Sequence, residues 1–331
     1  MPAELPEIPV RDPGPGGLGS YSLNNIEGAE GLMDAVIHGF GPLGTLIRPF
    51  LGPADRLAQR HLARIGDPYL AEIEATKRAM GRPGAIAFAL SYEAGCTARV
   101  FPGEAPVLFR TLDWPFKGIG HRIEIVRLQS PAGPWITATW PGLAGILHGS
   151  APGRFLISMN QAPQPMTRFG RAGAWLGSKI KLFRNPGLPP MHLLRQVFET
   201  VPDYDTAVAT LTEAPLAAPA IFTLAGPNGA ATVIERTETE AATAAPVAAN
   251  HFASLTPAGP SRWRARGYDS LLRHEMAGNL TEPPDLTALP EPILNPHTRL
   301  AMRLDWEGGL AIAGYEGPNR VTQLTQAQLD P

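Results

Sequence analysis

The sequence predicts an α+β fold in which two antiparallel sheets are covered by helices. Short runs rich in β-branched and aromatic residues follow one another from residue 85 to 160, separated by turn signals and with no helix between them. Helical periodicity is confined to the front of the chain, to residues 191–212 and to residues 262–276. A chain that does not alternate strand and helix argues against a parallel, doubly wound sheet. With 331 residues, 44% apolar and 18% charged, the chain can bury one large core or two modest ones. A net charge of -2 carries no electrostatic footprint for nucleic acid.

Residues 1–22 are Pro- and Gly-rich and read as an irregular arm. Leu32, Met33, Val36, Ile37 and Phe40 fall at helical spacing. Leu43, Leu46, Ile47 and Phe50 repeat the pattern after Gly41-Pro42. Asp34, His38, Arg48 and the Gly-Pro break speak against a membrane span. Two readings remain for this stretch: a helical hairpin packed on the core, or a peripheral membrane contact through residues 32–50. Residues 54–80 read as two helices broken at Asp67-Pro68 and stopped by Gly81-Arg82-Pro83-Gly84.

Strands are expected at Ala85–Tyr92, Thr97–Phe101, Val107–Leu112, Arg122–Leu128, Trp135–Trp140, Leu143–His148 and Phe155–Met159. Residues 161–190 read as a polar, Pro-rich connection. Helices follow at Met191–Thr200 and Tyr204–Thr212, the second capped by Asp203. Ala220–Ala225 and Thr232–Arg236 form a hairpin through Pro227-Asn228-Gly229. A short strand at Val247–Phe252, a helix at Arg262–Met276, and closing strands at Leu300–Trp306 and Leu310–Tyr315 complete the chain.

Cys96 is the only cysteine, so no internal disulfide forms, and a reducing, cytoplasmic setting is expected. The eight histidines are scattered without HExxH or paired spacing, so neither a metal nor another cofactor is expected. A lone cysteine is commonly a small buried hydrophobe. Three local features raise a catalytic reading: Gly95 precedes it and tolerates the strained backbone an internal cut would need, Thr97 opens the strand leading away, and a hairpin turning near Gly103 sets Arg110 about opposite Cys96. A guanidinium there favours thiolate. Asp113 has the wrong parity for the face of Arg110, which places it past the strand end or a bulge. Spacing alone equally allows Arg110 and Asp113 to be a structural ion pair.

Leu90-Ser91-Tyr92-Glu93-Ala94-Gly95-Cys96-Thr97, followed by Arg110-Thr111-Leu112-Asp113-Trp114, resembles the processing junction of acid ceramidase and N-acylethanolamine acid amidase. These are members of the choloylglycine hydrolase family of N-terminal nucleophile (Ntn) hydrolases. Trp140-Pro141-Gly142-Leu143-Ala144-Gly145 is similar to the family's Trp-Pro-Gly-Tyr-Val-Gly. Phe155–Gln161 is similar to its strand ending in Asn-Glu-Arg, Ala249-Asn250-His251-Phe252 to its Thr-Asn-Tyr segment, and Ser261-Arg262 to its Asp-Asp-Arg-Arg. The matches run in order from about residue 69 to 266. Departures fall at Ala98 for the family's Ser, Thr111 for Asn, Gln161 for Glu, and Pro260-Ser261 for the two acids.

The resemblance implies an αββα Ntn-hydrolase sandwich cut between Gly95 and Cys96. Residues 1–95 would be a helical front piece and 96–331 the catalytic piece, the two remaining together as a heterodimer. It implies Cys96, Arg110, Asp113, Asn250, Asn160, Gln161 and Arg262 as site residues and a linear amide as substrate. The acyl part would be fatty, as in an N-acylethanolamine or a ceramide-like lipid. A penicillin V or bile-salt type acylase is the alternative within the class; a non-catalytic lipid-binding α+β protein is the alternative outside it. A free α-amino group has a pKa of about 7.7–8.0, so on the residue that carries the thiol it serves as general base without a histidine. Asn250 and the backbone N–H of Gln161 are the expected oxyanion donors.

Overall fold

A computed structural model describes residues 4–90, 94–166, 170–258 and 263–329. The front of the chain carries strand β1 (Val10–Arg11) and helices α1 (Gly17–Leu23), α2 (Ile26–Gly39), α3 (Pro42–Ile65), α4 (Leu70–Met80) and α5 (Ala85–Ala89). The expected hairpin forms, because Gly41 turns the chain at φ 57 and Pro42 opens α3. Its greasy stretch divides: Leu32, Met33 and Ile37 are buried, whereas Leu46, Phe50 and Leu57 are at least half exposed along one face of α3. Among the described residues, no helix is long and apolar enough to cross a membrane.

The strand expected at Ala85–Tyr92 is instead helix α5 as far as Ala89, and residues 91–93 lie outside the described residues. The reason is a distant cap. The buried Asp55 carboxylate accepts from the N–H groups of Gly84, Ile86 and Ala87 at 2.8–3.0 Å, satisfying the first turn.

The strand-rich part follows with β2 (Gly95–Phe101), β3 (Val107–Asp113), β4 (Glu124–Ser130), β5 (Gly133–Thr139), β6 (His148–Ala151), β7 (Phe155–Gln161) and β8 (Gln164–Pro165). Only the end of the expected strand 143–148 pairs, since Gly142 turns at φ 85 and Gly145 lies hard against Met191. The connection at 161–190 contains helix α6 (Gly170–Arg184). Helices α7 (Pro190–Thr200) and α8 (Tyr204–Glu213) match expectation, and Asp203 caps α8 by accepting from the Thr206 N–H at 2.8 Å. Then come β9 (Ala220–Ala225), β10 (Ala231–Arg236), β11 (Ala241–Ala244), β12 (Val247–Ala248) and β13 (Trp263–Arg264). Helix α9 (Ser270–Asn279) begins later than the expected 262, because Gly267 (φ 71) and Asp269 (φ 35) break the chain before it. Strands β14 (Thr298–Asp305), β15 (Gly309–Glu316), β16 (Asn319–Arg320) and β17 (Thr325–Gln328) close the fold.

One sheet has the order β1-β4-β5-β6-β7-β9-β10-β11, antiparallel except for the β1–β4 pair. The other has β12-β2-β3-β14-β15-β16, with β17 on β15. The main core lies between them, with Val100, Leu108, Leu112, Leu156, Phe222 and Met302 among its members. Helices α7 and α8 pack on the outer face of the first sheet, and α9 on that of the second. The layering is therefore αββα, as the resemblance implies.

Candidate active site

The pleat of β2 and β3 puts neighbouring residues on opposite faces. Cys96, Leu108 and Leu112 face the core between the sheets, while Phe109 joins the outer core beneath α9. Cys96 pairs with Leu112, and Arg110 with Ala98, so Arg110 sits diagonally from Cys96 on the same face. Its guanidinium is fully buried. Nη1 donates to the carbonyls of Leu147 (2.9 Å) and Met159 (2.7 Å), and Nη2 donates to Cys96 Sγ at 3.1 Å. These carbonyls hold the charge against the sulfur.

Asp113 corrects the sequence reading. Against β2 the last residue of β3 stays in register, so that Asp113 pairs with Gly95 on the outer face; the bulge beside it is in the ladder with the other neighbour. The irregularity falls in β14, between Thr298 and Leu300. Arg110 and Asp113 therefore reach one junction from opposite faces of one sheet, and they are not an ion pair with each other. Asp113 Oδ1 accepts from Thr298 Oγ1 at 3.0 Å. Among the described residues Oδ2 accepts no hydrogen bond, and it lies 3.5 Å from Arg273 Nη1. Burial pushes the Asp113 carboxyl above its ordinary range, against the pull of Arg273.

Gly95 has no left-handed φ, so it is not glycine for strain. A Cβ there would stand 3.2 Å from Gly267 Cα and 3.3 Å from Asp113 Cβ, so close approach of two backbones is what requires it.

Asn250 Oδ1 accepts from Cys96 N at 2.7 Å and from Arg273 Nη2 at 2.8 Å, while its Nδ2 donates to the Gln161 carbonyl at 2.9 Å. In the intact chain the amide thus faces the junction with its oxygen; serving as an oxyanion donor requires Nδ2 to leave Gln161. Asn160 Nδ2 donates to the carbonyls of Ala248 (3.2 Å) and Ala249 (3.1 Å), pinning the segment that carries Asn250. Gln161 contributes this carbonyl and sits where two clefts meet. Arg262 lies outside the described residues.

Sequence reasoning missed Arg273. It is fully buried on α9, and its Nη1 donates to the Cys96 carbonyl (2.6 Å) and to Thr97 Oγ1 (2.7 Å). A signal existed: Ser270, Arg273 and Ala277 form the buried stripe of the helix, with one charge on it.

Two clefts flank the junction. One, of about 880 Å³ with its mouth included, is lined by Leu90, Met159, Ala162, Leu182, Met191 and Trp263 and is mainly apolar. The second, of about 1160 Å³, is lined by Gly95, Asp113, Gln164, Arg264, Tyr268 and His297. Gln161 and Arg266 line both. Among the described residues, no group of His, Cys, Asp or Glu is placed to hold a metal ion.

Fold and site together define an αββα sandwich with a cysteine at the head of an inner-sheet strand, gripped at Sγ, N and O by separate side chains. No family model and no curated protein matches the sequence. Solved structures similar to the chain include a Caenorhabditis elegans N-acylethanolamine-hydrolyzing acid amidase ortholog (16% identity, 72% of this chain and 100% of that one, TM-score 0.43). A conjugated bile acid hydrolase from Clostridium perfringens is similar at 9% identity over 71% of this chain and 92% of that one, with TM-score 0.44. Penicillin V acylase from Agrobacterium tumefaciens is similar at 13% identity over 68% and 84%, with TM-score 0.39.

Proposed function

We propose that this protein is a self-processing cysteine hydrolase of linear amides with an apolar acyl chain. The observation that carries the reading is the convergence on one residue: Arg110 on the sulfur of Cys96, Asn250 on its nitrogen, Arg273 on its carbonyl, and the unbonded Oδ2 of Asp113 beside Gly95. A structural buried cysteine needs none of these groups.

Processing begins with attack of Sγ on the Gly95 carbonyl carbon. The Gly95–Cys96 C–N bond breaks, the nitrogen takes a proton, and water hydrolyses the resulting ester of sulfur. Gly95 becomes a carboxylate and Cys96 an N-terminus. The freed amine then has Asn250 Oδ1 and Asp113 Oδ2 as acceptors. It takes the thiol proton, while the Arg110 guanidinium stabilises the thiolate. The thiolate attacks the substrate carbonyl, the amine returns the proton to the leaving nitrogen, and water releases the acid. The front piece, residues 1–95, stays packed on residues 96–331.

The apolar cleft supports an acyl chain as occupant, in keeping with the fatty amides of the resembling amidases. The exposed Leu46, Phe50 and Leu57 support a contact of α3 with the lipid aggregate that supplies such a substrate. The test is release of decanoic acid from N-decanoyl amides by the processed protein. Turnover that is lost in Cys96→Ala is expected; equal rates with and without the cysteine would contradict the reading.

A further inference from the structure

Strand β14 departs from regular pairing with β3 at one point, and that point adjoins the site. Leu300 pairs with Leu112 and Thr298 with Asp113, so the ladder skips Arg299. Without this bulge Arg299 would stand opposite Asp113, because a regular antiparallel ladder advances one residue on each strand. The bulge brings a hydroxyl there instead and turns the arginine away. Arg299 Nε donates to the Phe116 carbonyl at 2.6 Å, and Nη1 donates to the Thr298 carbonyl at 2.8 Å. Thr298 is fully buried at the end of a tight turn. Its N–H donates to the Asn295 carbonyl and the His297 N–H donates to Asn295 Oδ1, both at 3.0 Å. The His297 carbonyl accepts from the Trp114 N–H at 2.7 Å, which ties the turn to the residue that follows Asp113.

The partners of the hydroxyl set its direction. Thr298 Oγ1 accepts from the Asn295 N–H at 3.0 Å, and an amide N–H can only donate. The hydroxyl proton is left for Asp113 Oδ1, also at 3.0 Å. A donor on a carboxylate oxygen favours the charged form. Burial pushes the Asp113 carboxyl up, while the Arg273 charge, the Asn295 amide, the Thr298 hydroxyl and His297 pull it down. The charged or titratable groups that face Asp113 are thus Arg273 from α9, His297 from the turn and Arg299 from β14, with the α-amino group of Cys96 from β2 once it is freed. With Oδ1 held by Thr298, Oδ2 lies beside Gly95, 3.4 Å from where a Cβ of that residue would stand. An arginine directly opposite would take that oxygen as its own partner.

We propose that Thr298 is a positioning residue for the hydrolase reaction: it holds the Asp113 carboxylate by Oδ1 so that Oδ2 stays open to the freed α-amino group of Cys96. The bulge in β14 is what brings it opposite Asp113. Thr298 touches neither the substrate nor the sulfur, and no bond to it forms or breaks. The thiol proton passes to the amine held on Oδ2, and from the amine to the leaving nitrogen. This assignment rests on the amide-hydrolase reading and deepens it by one residue.

Two variants test it: Thr298→Val keeps the shape and removes the hydroxyl, and Thr298→Ser keeps the hydroxyl. Turnover of an N-decanoyl amide by the processed proteins is followed from acidic to alkaline pH. In Thr298→Val the acid limb of the kcat profile should move up by about one pH unit, because the buried carboxyl then takes its proton sooner. On that limb kcat should fall about tenfold with KM unchanged, and Thr298→Ser should stay within about twofold of the parent. A limb that does not move in Thr298→Val, a loss carried by KM, or a Thr298→Ser protein as impaired as Thr298→Val would overturn the assignment while leaving the amidase reading intact. Processing precedes the freed amine, so Thr298→Val should still be cut; a folded variant that stays whole would overturn the assignment as well. Where Thr298→Val does not fold, Thr298→Ala is read by the same criteria. A parent without turnover at any pH would overturn the amidase reading and this one with it.

Discussion

At the scale of single residues, the site is built from buried polar groups that answer one another. Arg110 and Arg273 are both fully buried cations, tolerable because carbonyls, a side-chain amide and a carboxylate surround them. Three buried or half-buried histidines, His148, His251 and His274, are pushed below their ordinary range by burial. His251, next to Asn250, is pushed down to about 4 by burial and by its neighbours His274 and Arg273. The folded protein therefore holds a neutral ring where the unfolded chain takes a proton below about 6.5. The stability this gives is fully present above that value and is lost as pH falls toward 4. By pH 5 the loss amounts to at most about 2 kcal/mol, less after solvent screening of a half-buried ring. His251→Gln should shrink the drop in Tm between pH 7 and pH 5 by a few degrees. His61, His148 and His274, all displaced downward by burial, sustain the rest of the slope. A drop of the same size in the variant would contradict this account of His251.

Single elements carry several site groups at once, and α9 is the clearest case. Its first residue, Ser270, accepts from the Asn250 N–H at 2.8 Å and meets His251 Nδ1 at 2.9 Å; one turn later Arg273 reaches the Cys96 carbonyl. Ser270→Ala should cost about 1 kcal/mol of stability. On the proposed function it should lower kcat about tenfold with little change in KM, since Asn250, which holds Cys96 N, moves and the clefts do not. A KM effect alone would contradict the positioning role. Much of this was legible in the sequence. The β2–β3 hairpin, the helical front and the α7–α8 pair follow from periodicity and turn residues, and the Gly95-Cys96 junction with Arg110, Asp113, Asn160 and Asn250 from motif resemblance. What was hidden depends on distant partners. Ala85–Ala89 is apolar enough for a strand and is a helix because Asp55, thirty residues earlier, caps it. Arg273 was obscured because the helix was expected to start at 262, which left Arg262 as the nearer match. Asp113 seemed out of phase only while both site faces were sought on one side of a strand.

Across the whole molecule, the front helices are bolted to the strand-rich part. Asp67 Oδ2 meets His192 Nδ1 at 2.6 Å with both side chains fully buried. Arg195 on α7 pairs with Glu72 on α4 and with Glu199, and it stacks 3.9 Å over the Tyr69 ring. Tyr69 Oη donates to Glu199 at 2.9 Å. A cut at Gly95 leaves every one of these contacts in place, so the two pieces should co-elute after processing. Asp67→Ala leaves the buried His192 Nδ1 without its partner and should destabilise the protein by roughly 1–3 kcal/mol, read as a lowered denaturation midpoint. A midpoint within error of the parent would show that this clamp does not join the pieces.

The central claim is that Cys96 is released as an N-terminus by its own chemistry. Intact-mass analysis of the purified protein, incubated at neutral and at acidic pH beside Cys96→Ala, tests it most directly. Two pieces of 95 and 236 residues, the second beginning at Cys96, should appear in the parent, and the variant should remain a single chain of 331 residues. A parent chain that stays whole under every condition, with Cys96 unreactive to alkylation, would contradict the account.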